Sequence, residues 1–123
     1  MATLHASIRT RLDRAGIVIS GLCAVHCLAS ILLVSALGLG GQLLLAPAIH
    51  RIGLLVAVLV GALTLGIGIY RHGRVMPLLL GSAGLLLMTV GLLVPHGVGE
   101  AVLTIAGVSM VAAAHILNLR ASR

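Results

Sequence analysis

Both cysteines of the chain lie in the run Ser20-Gly-Leu-Cys-Ala-Val-His-Cys-Leu-Ala-Ser30, with His26 between them. In a helix each residue turns by about 100°, so Cys23 and Cys27 stand one turn apart and face the same way. His26 lies beside them, and Ser20 and Ser30 fall on the same side. Thiolates are soft donors that select Cu(I), Zn(II) and other thiophilic ions. Two thiols one turn apart can converge on one ion, with His26 as a third ligand or as a group that favours the thiolate. Such a set is incomplete beside the four-coordinate closed sites of structural zinc, which suits loading and release. The plainer alternative is packing, because cysteine also behaves as a small hydrophobe. Side chains at i and i+4 of a regular helix fit disulfide geometry poorly, so a reduced dithiol is expected.

The stretch around this group is apolar, and so is the rest of the chain. Of 123 residues 60% are hydrophobic and 8% charged, and the only acids are Asp13 and Glu100. A soluble domain of this length could not cover that much apolar surface with so few charges. The composition specifies an integral membrane protein of one domain. The net charge of +6 comes from arginine alone. It reads as topology and contact with the lipid bilayer, with no nucleic acid as partner. No nucleophile elbow, phosphate loop or acid/base dyad points to an enzyme.

Hydropathy and breakers divide the chain into a short basic cytoplasmic tail (1–14), one transmembrane domain (15–120) and a terminal tail (121–123). Four spans are expected at about 15–39, 52–70, 75–94 and 98–119, long enough to cross the hydrocarbon. Gly40-Gly41-Gln42, Arg71-His72-Gly73-Arg74 and Pro95-His96-Gly97 mark the breaks. The first span is too long for a signal-peptide core, so it is expected to stay on the protein. Short connections imply an all-α, antiparallel four-helix bundle. Seven arginines fall at the N-terminus, the second loop and the C-terminus, against Arg51 alone on the other side. By the positive-inside rule both termini are cytoplasmic. Gly53, Ala57 and Gly61 form a small-residue face suited to close helix packing, and to a second copy of the chain.

Ionisable residues inside a span are costly and are functional candidates by default. On the fourth span Glu100, Thr104, His115 and Asn118 lie within about 60° on a helical wheel. His50, His96 and Glu100 would form an outer loading point, and His72, His115 and Asn118 an inner exit. A structural interhelical hydrogen bond is the competing reading of His115 and Asn118. A redox protein with haem held by His26 and His115 is a rival to metal handling. No other prosthetic group is implied.

The run S-G-L-C-A-V-H-C-L at 20–28, His50, His72, Glu100 and the closing A-H-I-L-N-L-R at 114–120 resemble the MerC family of small membrane proteins. The likeness extends from Asp13 to Arg120. It implies a multi-pass protein of the bacterial inner membrane that takes up mercuric ion and passes it to a cytosolic metal acceptor. Cys23 and Cys27 would be the metal thiols, with His26 beside them. Two positions depart from the family pattern. Ser30 stands where proline is usual, and no second cysteine pair occurs near the C-terminus. The expected function is inward movement of a thiophilic heavy-metal ion, Hg(II) by resemblance. The alternatives are Zn(II) or Cu(I) handling, and a metal buffer without flux.

Overall fold

A computed structural model describes residues 2–37 and 46–122, with side chains from Ser7 onward except those of Val34, Ser35 and Leu37. They form four helices: α1 (Ala2–Leu37), α2 (Pro47–His72), α3 (Met76–Gly91) and α4 (Val98–Ala121). Successive helices run antiparallel, and α1 returns against α4 to close a four-helix bundle. The expected all-α membrane bundle is the observed fold. Three helices are long and apolar enough to cross a membrane, namely the Ser7–Leu33 stretch of α1, all of α2 and all of α4.

The element boundaries differ from expectation in ways that bear on function. The helix of the first span runs unbroken from Ala2, so residues 9–14 continue it. α2 begins at Pro47 and not at residue 52. Proline in the first turn has no N–H to lose and a φ already helical. His50 therefore lies on a helix face and not in a loop. At the other end α2 includes Arg71 and His72 and is closed by Gly73 in the left-handed conformation, φ 66°. Only glycine takes that conformation without strain. α3 ends at Gly91, short of residue 94. The next amides, of Leu92 and Leu93, bond three residues back in a tightened turn ahead of Pro95. The break at Gly40-Gly41-Gln42, the last two residues of the first span and Arg123 lie outside the described residues.

Each helix buries positions spaced alternately three and four apart, the spacing of left-handed bundles. On α1 these are Asp13, Gly16, Ser20, Cys27 and Ser30, with half-buried Cys23 completing the series. On α3 they are Pro77, Gly81, Gly84, Met88 and Gly91. The seam is small and polar, while Leu22, Val25 and Leu32 face outward, each more than 60% exposed. This is the inverse of a soluble bundle and fits lipid as solvent, where tails cover large apolar groups and close backbone approach holds helices together. A compact centre remains at Ala57, Met88, Val108 and Val111.

The Gly53/Ala57/Gly61 face packs inside the chain, as its small residues lead one to expect. Ala57 and Gly61 are buried, and Cβ positions on Gly53 and Gly61 would touch Cys23 and Leu85. Backbone meets backbone between α3 and α4. A Cβ on Gly84 would stand 2.6 Å from the Gly107 carbonyl oxygen, and one on Gly107 equally close to that of Gly84. Backbone cannot yield as a side chain does, so Gly84→Ala or Gly107→Ala should cost about 1–3 kcal/mol. Gly66→Ala, with open space around its Cβ, should be neutral. Denaturant titration in micelles, read by circular dichroism, distinguishes them.

Candidate metal centre

Cys23 and Cys27 sit on the α1 seam as the helical spacing predicts, and neither is in a disulfide. Cys27 is 5% exposed and Cys23 half-buried. They line a largely apolar cavity of about 240 Å³ together with His26, His50, Met88 and Thr104. Because α2 starts at Pro47, His50 is turned towards α1. Its Nε2 lies 3.7 Å from Cys27 Sγ. The His26 and His50 rings meet edge to face, with centroids 5.7 Å apart. Two thiols, two imidazoles and a thioether thus border one space.

The Cys27–His50 pair is either a weak S–H···N hydrogen bond or a pair of donors at the spacing of two ligands. A sulfur leg of about 2.3 Å and a nitrogen leg of about 2.05 Å span that distance at an angle of about 115°. Among the described residues no group of three or more His, Cys, Asp or Glu side chains is drawn together closely enough to hold a metal ion. The arrangement is a two-donor pair with further donors on the same cavity wall. His50 Nδ1 is also buried without a hydrogen-bond partner among the described residues. Such an atom marks a place where the protein alone does not complete the polar contacts.

Just beyond the cavity, Glu100 is buried in the first turn of α4 at 5% exposure. His96 Nδ1 donates to its Oε2 at 2.7 Å, while Oε1 has no partner among the described residues. Of the three expected outer residues, His50 lines the cavity, Glu100 is buried one turn from its lining residue Thr104, and His96 stays largely exposed.

His115 and Asn118 do not reach this group. They belong to a second polar cluster at the arginine-rich end, centred on Asp13. His115 Nδ1 donates to Asp13 Oδ1 at 2.8 Å. Asn118 Nδ2 donates to both Asp13 oxygens, at 3.2 and 3.0 Å. The Asn118 Oδ1 accepts from His72 Nε2 at 2.8 Å, and His72 Nδ1 accepts from the Arg74 amide at 3.0 Å. The Arg74 contact fixes the His72 tautomer, and every donor in the chain leads towards the carboxylate. Asp13, His115 and Asn118 are each 1–2% exposed. Gly16 and Gly68 make room, since a Cβ on either would collide with His115 or Asn118. Reading the first span as starting at residue 15 hid Asp13. It lies on the same three-four series as the cysteines, and that spacing was the available signal.

Asp13 and Cys27 are 14 residues apart on one helix, which is about 21 Å of rise. His26 and His115 are therefore roughly 20 Å apart, too far for one haem iron, and the haem reading is withdrawn. Ser30, Thr64, Thr89 and Ser109 donate to carbonyls one turn earlier, and Thr64 Oγ1 also lies 3.4 Å from His115 Nδ1.

No curated protein matches the chain, and no solved structure does. A family model described as MerC mercury resistance protein matches residues 13–120. That interval begins at the buried Asp13, ends just past Asn118, and contains every residue of both clusters. The chain belongs to the MerC mercury resistance protein family.

Proposed function

We propose that the protein binds a thiophilic metal ion, Hg(II) before others, at Cys23 and Cys27 and carries it inward across the bacterial inner membrane. The supporting observation is the shared cavity, where Cys27 and His50 stand at two-ligand spacing with Cys23 and His26 on the same wall. Membership of a mercury resistance family supports Hg(II) as that ion. Soft sulfur donors agree with that selection. Each thiol that ligates gives up its proton, so loading releases protons and unloading takes them back. Transfer proceeds by exchange of one ligand at a time, as an under-coordinated set allows. His50 joins Cys23, Cys27 and His26 as a ligand. The arginine-rich end faces the cytoplasm by the positive-inside rule, with His72, His115 and Asn118 on that side and a cytosolic acceptor beyond it.

Elemental analysis of the purified chain after exposure to Hg(II), Cu(I) and Zn(II) tests the binding. One Hg(II) per chain is expected, and N-ethylmaleimide treatment should abolish it. Unchanged metal content after the thiols are blocked would overturn the assignment. The Cys27–His50 spacing also suits Zn(II), and a higher Zn(II) content would favour that cargo. Proteoliposomes separate carrier from buffer. A carrier accumulates metal in the lumen, whereas a buffer binds one equivalent and stops.

A further inference from the structure

At the arginine-rich end a second cavity of about 200 Å³ opens beside Asp13, bordered by Arg9, Thr10, Arg71, His72 and Ser122. Its charges are unbalanced. Two arginines, Arg9 and Arg71, line it. Asp13 is the only acid on its wall, and both of its oxygens already accept bonds from His115 and Asn118. Arg9 Nη2 reaches Ser122 Oγ only at 3.5 Å, and its Nε is buried without a hydrogen-bond partner among the described residues. Among the described residues the Arg9 Nε donor therefore faces this space unmet, with the exposed Arg71 guanidinium on the same wall and the Ser122 hydroxyl already donating to the Asn118 carbonyl. An oxyanion supplies several acceptor atoms and opposite charge at once, and the arginine fork matches phosphate in particular.

We propose that the cavity between Arg9, Arg71 and Ser122 binds a phosphate group. The same chemistry comes from an anionic phospholipid headgroup or from free phosphate. The site stands apart from the cysteines, towards the opposite end of α1.

The test uses the full chain in dodecyl maltoside, with thermal stability followed as probe is added. The probes are inorganic phosphate, phosphatidylglycerol and a diacylglycerol with the same acyl chains. A saturable stabilisation by inorganic phosphate supports the site and assigns it to the soluble ion. Stabilisation by phosphatidylglycerol alone, and not by diacylglycerol, supports it and assigns it to the headgroup. Arg9→Gln and Arg71→Gln should each raise the half-saturating concentration about tenfold, while Arg120→Gln, exposed at the same end, changes it less than about twofold. Ser122→Asp, at an exposed helix end, should remove the effect while leaving the helical circular dichroism intact, and it serves if the arginine variants fold poorly. Stabilisation by neither phosphate probe overturns the proposal, and so does an equal loss in Arg120→Gln, which would mean surface charge alone.

Discussion

Asp13→Ala is expected to lower the stability of the bundle by about 3–5 kcal/mol, the cost of removing one partner of a buried charged cluster. The carboxylate receives one bond from His115 and two from Asn118, and it is 2% exposed. Without it, their donors keep only the long contacts to Thr64 Oγ1 and the Thr64 carbonyl, 3.4 Å each. Asp13→Asn keeps the volume and one acceptor oxygen, so its penalty should be smaller, about 1–3 kcal/mol. Unfolding of the purified chain by sodium dodecyl sulfate in mixed micelles, monitored by circular dichroism, measures both. A double-mutant cycle with His115→Ala should show strong coupling, since the two side chains share one bond. Independent, additive effects would mean that the cluster does not act as a unit.

Loss of the thiols is the second large effect. The double replacement Cys23→Ser/Cys27→Ser should abolish Hg(II) uptake into proteoliposomes, because no other cysteine exists to take over. Serine keeps nearly the same size, so the fold should survive and circular dichroism should not change. His50→Ala is the more discriminating variant. Its ring lies 3.7 Å from Cys27 on the neighbouring helix. If His50 ligates or orients the metal, affinity should fall by about 10–100-fold while the thiols remain titratable. His50→Ala with unchanged affinity would remove it from the ligand set and leave a site of thiols on α1 alone.

Much of this architecture is legible in the sequence, and the misses have physical causes. Hydropathy with arginine placement marks the four helices, and helical spacing puts Cys23 and Cys27 on one face. Hydropathy begins a span where apolar residues begin, which leaves His50 ahead of the second span. Proline at the first turn begins the helix earlier, and rotation on that helix turns His50 towards Cys27. Hydropathy leaves Asp13 in a tail for a similar reason. An acid flanked by arginines looks solvated until its place on the α1 seam is counted. The link from Asp13 to His115 spans 102 positions of chain, and only the tertiary arrangement brings the two together. His115 and Asn118 were visible as a stripe on the fourth span, whereas the partner that satisfies them was not.

The three-four spacing of α1 has one more consequence. The separation of Asp13 from Cys27 equals two heptads, so a single axial setting of α1 satisfies both ends of the helix. Small residues alone would let α1 slide along α4, since glycine and serine offer no distinctive shape to interlock. A slip of one helical turn is about 5.4 Å, enough to take Asp13 out of reach of His115 and Cys27 out of reach of His50 together. The polar cluster at the arginine-rich end thus sets the register of the thiols four turns away, in the way that a single buried polar residue fixes alignment in a coiled coil.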